Sequence, residues 1–176
     1  MRMAASSAAT FETVAKEGLP LFVGLRGDGL EALVHNINVY RETWRKSGHA
    51  GDGSVYLRIP VYAADNETAA YEEPRENITY YFERQARLVV AGSPKGGNSE
   101  RSSTAATLSA LSYDDILRDR VAFGTAAKLI DRVTEWRDVL GIDGITAEMN
   151  AGGLLTQDQV KNSLRIITRD VMPAFR

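Results

Sequence analysis

The apolar positions of this chain switch repeatedly between the spacing of strands and that of helices. Met3-Ala4-Ala5 reads as the end of a buried strand that turns into a helix through Ser6-Ser7-Ala8-Ala9-Thr10-Phe11. From Ala8 to Glu17 the apolar residues Phe11, Val14 and Ala15 follow helical spacing, and Gly18 supplies a stop. Leu19-Pro20-Leu21-Phe22-Val23-Gly24 predicts a short buried strand, with a turn at Arg26-Gly27-Asp28-Gly29. Leu30, Leu33, Val34, Ile37, Tyr40 and Trp44 then share a helical face that ends at Gly48. After the Gly51-Asp52-Gly53 turn, Ser54 to Ala63 is the most strand-like run of the chain. Pro60 inside it has no N–H for a ladder, which predicts a bulge or an edge position.

Asp65 to Val90 reads as helical, interrupted at Pro74, with Ile78, Tyr81, Phe82 and Ala86 available for burial. Gly92 to Thr104 is of low complexity and predicts a mobile surface loop. A short helix is expected from Tyr113 to Arg120. Leu129, Ile130, Val133, Trp136 and Leu140 mark an amphipathic helix that stops at Gly141, and Ile142 to Met149 is the next strand, before a Gly152-Gly153 turn. The last helix opens on Thr156 with Gln159 three residues on, a capping-box pattern, and is expected to bury Val160, Leu164, Ile167 and Val171 before Pro173.

Four strands each followed by helix predict an α/β fold with a parallel sheet in right-handed βαβ units. An eight-stranded (β/α)8, or TIM, barrel takes about 250 residues. At 176 residues the chain therefore reads as roughly half of one. The expected architecture is four parallel βα units in a single domain, 1–176, with an insertion after the third strand that includes the mobile stretch at about 92–104.

Composition narrows the function classes without naming one. Apolar residues at 44% and charged residues at 25% are ordinary for a globular protein. With 21 basic and 23 acidic residues the formal net charge is −2, and no block of like charge stands out, which argues against a nucleic-acid surface or a membrane-attracting patch. The absence of cysteine excludes disulfides, thiolate metal sites and cysteine nucleophiles, and makes the cytoplasm the expected compartment. No apolar run reaches the roughly 18 residues of a membrane span, the N-terminus lacks the form of a signal peptide, and no metal site is expected.

The candidate chemistry begins at the first helix. A strand that delivers hydroxyl residues to a helix N-terminus forms an anion site, because unpaired N–H groups and the positive end of the helix dipole converge there. Ser6 and Thr10 lie four apart on one face of the first turn and can address one bound group. The plainer alternative is that Ser6 caps the helix and Thr10 packs. His35 lies on the polar side of its helix and His49 follows a helix-ending glycine, so both read as surface residues.

Several segments, in order, carry a resemblance. They are Ala4-Ala5-Ser6-Ser7-Ala8-Ala9-Thr10 with Gly18-Leu19-Pro20, Tyr56-Leu57-Arg58-Ile59-Pro60-Val61-Tyr62, Val121-Ala122-Phe123-Gly124-Thr125, Ala147-Glu148-Met149-Asn150-Ala151-Gly152-Gly153-Leu154, and Val171-Met172-Pro173. Together they resemble the C-terminal half of the bacterial-luciferase-like flavin monooxygenases. The resemblance implies a (β/α)8 barrel that binds reduced flavin at the C-terminal ends of its strands, with this chain supplying the last four βα units. It implies that Ser6, Ser7 and Thr10 hold the flavin phosphate. The implied cofactor is reduced FMN, with deazaflavin as a variant that the residues do not separate.

Barrel sites form at the C-terminal face, so the remaining strand ends supply the substrate-pocket candidates. These are Arg26 and Asp28 after the second strand, Asp65 and Asn66 after the third, and Glu148 and Asn150 after the fourth; a solvated loop residue is the alternative for each. Glu148 and Asn150 stand out because Gly152-Gly153 lets backbone approach a ligand closely. Ala126 stands where the family usually has Pro after its Gly-Thr pair, at little cost. The family keeps most ring contacts and its oxygen-chemistry residues in the other half, so no catalytic residue is assigned.

Two readings follow. In one the chain is the C-terminal part of a flavin-dependent monooxygenase that oxidises a small organic substrate with O2, completed by a complementary N-terminal half-barrel or by a second copy in a homo-oligomer. In the other it is a non-catalytic half-barrel or assembly module that self-associates to cover its open sheet edges.

Overall fold

A computed structural model of the chain describes residues 1–25, 29–91 and 99–176. The elements run β1 (Met3–Ala4), α1 (Ala8–Lys16), β2 (Leu21–Gly24), α2 (Gly29–Lys46), β3 (Val55–Ala63), α3 (Glu67–Glu72), α4 (Arg75–Ala91), α5 (Ser99–Ala110), α6 (Tyr113–Asp119), β4 (Ala122–Gly124), α7 (Ala126–Leu140), β5 (Gly144–Glu148) and α8 (Gln157–Ile166). A π-helical turn (Ile167–Val171) and a 3-10 turn (Met172–Phe175) follow. The strand order is β1-β2-β3-β4, with β5 also paired to β3. Two compact units divide the chain, the first made of Met1–Ile59 and Thr134–Ala147, the second of Pro60–Val133 and Glu148–Arg176.

In the first unit β1, β2 and the start of β3 are parallel, with Met3 opposite Leu21, Ala4 opposite Phe22, and Leu21 to Gly24 opposite Val55 to Arg58. Period-two alternation sets the faces. Leu21, Val23, Val55, Leu57 and Ile59 are buried, whereas Phe22, Gly24, Tyr56 and Arg58 on the opposite face are half-buried. Phe11, Val14 and Ala15 of α1, Leu33, Ile37 and Tyr40 of α2, and Trp136 and Leu140 of α7 contribute the helical share of this core. On the half-buried face the Arg2 guanidinium lies 3.7 Å from the centre of the Tyr56 ring. Asp143 joins β5 to β3 twice: its N–H donates to the Val55 carbonyl at 2.8 Å, and its Oδ2 accepts the Val55 N–H at 2.7 Å.

In the second unit the end of β3 pairs in parallel with β4, Val61 to Ala63 opposite Ala122 to Gly124. Pro60 falls between this register and the one with β2, which ends at Arg58. That gap accommodates a residue with no N–H inside a nine-residue strand. One apolar cluster gathers Ile78, Phe82, Ala86, Leu108, Ile116 and Val121; another is built on Tyr62, Ala64 and Ala70, with Phe123 and Leu155 against it. Beyond the ladder, the Ala63 N–H donates to Ser163 Oγ at 2.8 Å, and Ser163 is fully buried.

Several sequence expectations change. Within Val121 to Thr125, Ala122–Gly124 forms a fifth strand, three residues long, too short for alternation to reveal. Of the loop expected over 92–104, residues 92–98 lie outside the described residues, and Ser99–Ala110 is helix α5, in which the alternation of small polar residues with Ala105 and Leu108 places those two in the core. The opening strand is not buried: both residues of β1 are exposed, Met3 at 44%. Of the residues expected on the inner face of the last helix, Val171 is buried and Val160 and Ile167 are half-buried, but Leu164 is 47% exposed, and Ser163, which reaches the Ala63 N–H, and Ile166 are buried instead. The capping box expected at Thr156–Gln159 is formed, and Ser112 and Asp115 form a second one at the start of α6. Among the described residues no helix is long and apolar enough to cross a membrane.

Replacing Ser163 by Ala strands the Ala63 N–H in the core, which costs about 1–3 kcal/mol. A lowered urea midpoint is expected, and an unchanged midpoint would show that this N–H finds another acceptor. The cap of α6 is pH-dependent. Hydrogen bonds from Ser112 first, then Arg118, hold the Asp115 carboxyl down at about 2, against an ordinary 3.8. Because its folded value is depressed, this contribution is fully present above the unfolded value and is lost as the pH falls through the folded one. Between pH 4 and 2 the stability of Asp115→Asn, measured by thermal melts, is expected to fall less steeply than that of the unaltered chain.

Candidate functional site

The short strand β1 hands over to α1 through Ala5, whose N–H donates to the Phe22 carbonyl at 3.2 Å and whose side chain is buried. Ser7, not Ser6, occupies the N-cap position, with extended dihedrals of φ −125° and ψ 150°. Its hydroxyl makes no cap bond to a first-turn N–H; Ser7 Oγ and Thr10 Oγ1 instead lie 2.8 Å apart in one hydrogen bond. The structure thus brings Ser7 and Thr10 together, while Ser6 is exposed beside them. Two hydroxyls, an exposed serine and the positive end of a nine-residue helix form a donor set suited to a phosphate. No acidic residue stands in that first turn to oppose an anion.

The second group of candidates lies in the second unit, at the end of β5 and just after it. Glu148 is half-buried and accepts a hydrogen bond from Tyr81 Oη of α4 at 3.4 Å. Both ends of the Asn150 amide bond Leu155: Oδ1 accepts its N–H at 3.1 Å, and Nδ2 donates to its carbonyl at 3.3 Å. Asn150 therefore closes the turn that carries Gly152 and Gly153. Leu154 on this turn is 49% exposed, and its N–H is held by Asn77 Oδ1 of α4 at 2.9 Å. A Cβ at Gly152 would stand 2.0 Å from the Asn77 carbonyl oxygen, so only glycine permits this approach.

The remaining candidates separate. Arg26 and Asp28 lie outside the described residues. Asp65 is exposed, and Asn66 is the N-cap of α3, its Oδ1 accepting the Ala69 N–H at 2.9 Å. His35 is exposed as expected. His49 is not a free surface residue: it is half-buried, its Nε2 is 3.0 Å from the Lys16 carbonyl at the end of α1, and its ring packs on Trp44. Gly18, at φ +64°, admits that ring, since a Cβ there would come within 2.9 Å of it.

Asn77 and Tyr81 were not singled out as polar partners by the sequence. Their spacing of four places them on one helical face, and the one visible signal was an asparagine, Asn77, directly before the buried Ile78 of an otherwise apolar stripe. Close by, Tyr62 at the end of β3 is 1% exposed and its hydroxyl donates to Glu73. Burial first, then the Glu73 carboxylate, pushes the Tyr62 phenol well above the ordinary range, so it stays a hydrogen-bond donor. Tyr113, under the Arg75 guanidinium and bonded to the Tyr71 carbonyl, is pushed up to about 12 by burial, which outweighs the opposing charge of Arg75.

Comparison with known proteins bears on this arrangement. A monooxygenase RslO1 from Streptomyces bottropensis superposes with a TM-score of 0.71 at 13% identity, over 98% of this chain and 47% of its own. The oxygenating constituent of 3,6-diketocamphane monooxygenase from Pseudomonas putida, a type II Baeyer-Villiger enzyme solved with FMN, gives a TM-score of 0.72 at 18% identity, over 97% and 47%. A coenzyme F420 dependent tetrahydromethanopterin reductase from Methanopyrus kandleri gives 0.66 at 14% identity, over 99% and 50%. At these identities the likeness is one of fold, and the chain spans about half the length of the structures it matches. No match was found among curated proteins. The sequence profile described as luciferase-like monooxygenase matches residues 2–143, from Arg2 before β1 to Asp143 before β5, and leaves Glu148 and Asn150 outside. With that profile covering most of its length and its parallel βα order shared with such enzymes, the chain belongs to the luciferase-like monooxygenase family.

Proposed function

We propose that this chain is the C-terminal part of a cytoplasmic flavin-dependent monooxygenase, with residues 1–176 acting as one half-barrel domain in the oxidation of a small organic substrate by O2. The observation that carries the reading is the family match over residues 2–143, which includes the hydroxyl pair at the start of α1. Ser6, Ser7 and Thr10 bind the phosphate of the cofactor, aided by the N-terminal dipole of α1. Reduced FMN supplies the oxygen-activating electrons when bound, and the F420 enzymes among the structural neighbours keep deazaflavin as the variant. Glu148 faces the substrate, and Asn150 shapes the same pocket through its bonds to Leu155. Arg26 and Asp28 belong to this proposal on the sequence alone.

Removing the hydroxyl pair should separate binding from folding. In an FMN titration followed by flavin fluorescence, Ser7→Ala/Thr10→Ala is expected to weaken binding about tenfold or more, the worth of one or two hydrogen bonds to a charged group. Equal binding by the double variant would remove the phosphate assignment.

The second reading, a non-catalytic module that self-associates, draws on the sheet edges. Both residues of β1 are exposed, although it pairs in a parallel sheet, a type ordinarily covered on both faces, and Thr146 and Ala147 of β5 are exposed as well. Under either reading the chain completes its sheet by association, with a second copy or with a complementary N-terminal half-barrel. Light scattering of the purified chain at micromolar concentration is expected to give a mass of at least two copies if the partner is itself. A strict monomer that also fails to bind FMN would overturn self-association and leave a complementary chain as the required partner.

A further inference from the structure

Helix α4 meets the segment after β5 at Asn77 and Tyr81, one helical turn apart. Asn77 is 4% exposed, so leaving its amide without a partner would be costly, and its Oδ1 is committed to the Leu154 N–H. The contact is doubled on the main chain, where Gly152 lies against the Asn77 carbonyl. Tyr81 donates to Glu148 at the near end of the same segment. Asn150 ties the turn internally, and Leu155 packs on the Tyr62 cluster. Glu148, Asn150, Gly152, Leu154 and Leu155 are thus each fixed from outside the segment or within it. One side chain among them, that of Leu154, is left 49% exposed on an anchored backbone.

We propose that Asn77 is a positioning residue for the substrate pocket. Acting through the Leu154 N–H, it holds the turn in one place, so that the Glu148 carboxylate and the Leu154 side chain meet the organic substrate in a preset arrangement. Pre-organisation of this kind lowers the cost of binding without touching the reacting atoms. The inference rests on the reading of Glu148 as a pocket residue, and adds that the geometry of the pocket is set from α4, a helix distant in sequence.

The test uses the full chain in its flavin-loaded assembly, with octanal and camphor as probe substrates. Asn77→Ala is expected to raise KM at least about fivefold with kcat changed less than about twofold, the pattern of a lost ground-state binding contribution. In the same sample, amide exchange at Leu154 should quicken at least about tenfold, while FMN affinity is unchanged. Asn77→Asp, which keeps the Oδ1 acceptor, restores both quantities. Gly152→Ala, which forces the turn off α4 without altering Asn77, reproduces the KM rise and serves in place of Asn77→Ala should that variant fail to fold. Faster exchange with unchanged KM would make the clamp architectural only and overturn the proposal. So would unchanged exchange, or a parallel loss of kcat and FMN binding. An unaltered assembly that oxidises neither probe defeats the monooxygenase reading and this inference with it; an active one in which Asn77→Ala behaves like the unaltered chain defeats this inference alone.

Discussion

Strand β3 has to satisfy its backbone against three other strands, and most of the fold follows from how it does so. Its first residues pair with β2 and meet β5 through Asp143, and its last pair with β4. Pro60 sits where one register has ended and the next has not begun. At the end of β3 the Ala63 N–H is not left to water but is taken by Ser163 of α8, and the next, that of Ala64, by the Gly124 carbonyl. A buried N–H must find an acceptor, and this requirement fixes which face of α8 turns inward. The same strand divides the chain into its two compact units, since the boundary falls between Ile59 and Pro60.

The candidate sites illustrate how polar residues divide between holding the protein and addressing a ligand. Asn66, Asn150 and His49 spend their polar atoms on neighbouring backbone. Ser7 and Thr10 bond each other through hydroxyls, groups that each keep further capacity to donate or accept, at a helix start whose cap bond is not made by Ser7. Glu148 accepts from Tyr81 at Oε2. The difference is chemical: an amide that closes a turn in both directions has used its directed donor and acceptor, whereas a hydroxyl can rotate to meet a newcomer.

Much of the architecture was legible because it depends on local rules. The helices α1, α2, α4 and α7 follow the 3.6-residue spacing of their apolar residues, and the stops of α1, α2 and α7 coincide with Gly18, Gly48 and Gly141. The capping box at Thr156 was readable from residue types three apart. Strand β4 was not, since three residues carry no period; it was visible only as a segment of the family resemblance. At the start of α1 the hydroxyl residues were evident, with Ser6 and Thr10 expected to address one group; the hydroxyls that bond each other are those of Ser7 and Thr10, since Ser7 and not Ser6 is the N-cap.

By itself the sequence determined four of the five strands and most of the helices, the break at Pro74, and the family, because these rest on spacing, caps and residue types that act over a few positions. Tertiary structure alone decided that Asn77 reaches Leu154 across 77 residues, that Ser163 closes β3 across 100, and that Gly152 lies against α4. Such contacts satisfy buried polar groups between segments far apart in the chain. No local pattern encodes them, because each partner is an ordinary polar or small residue until the fold brings the two together.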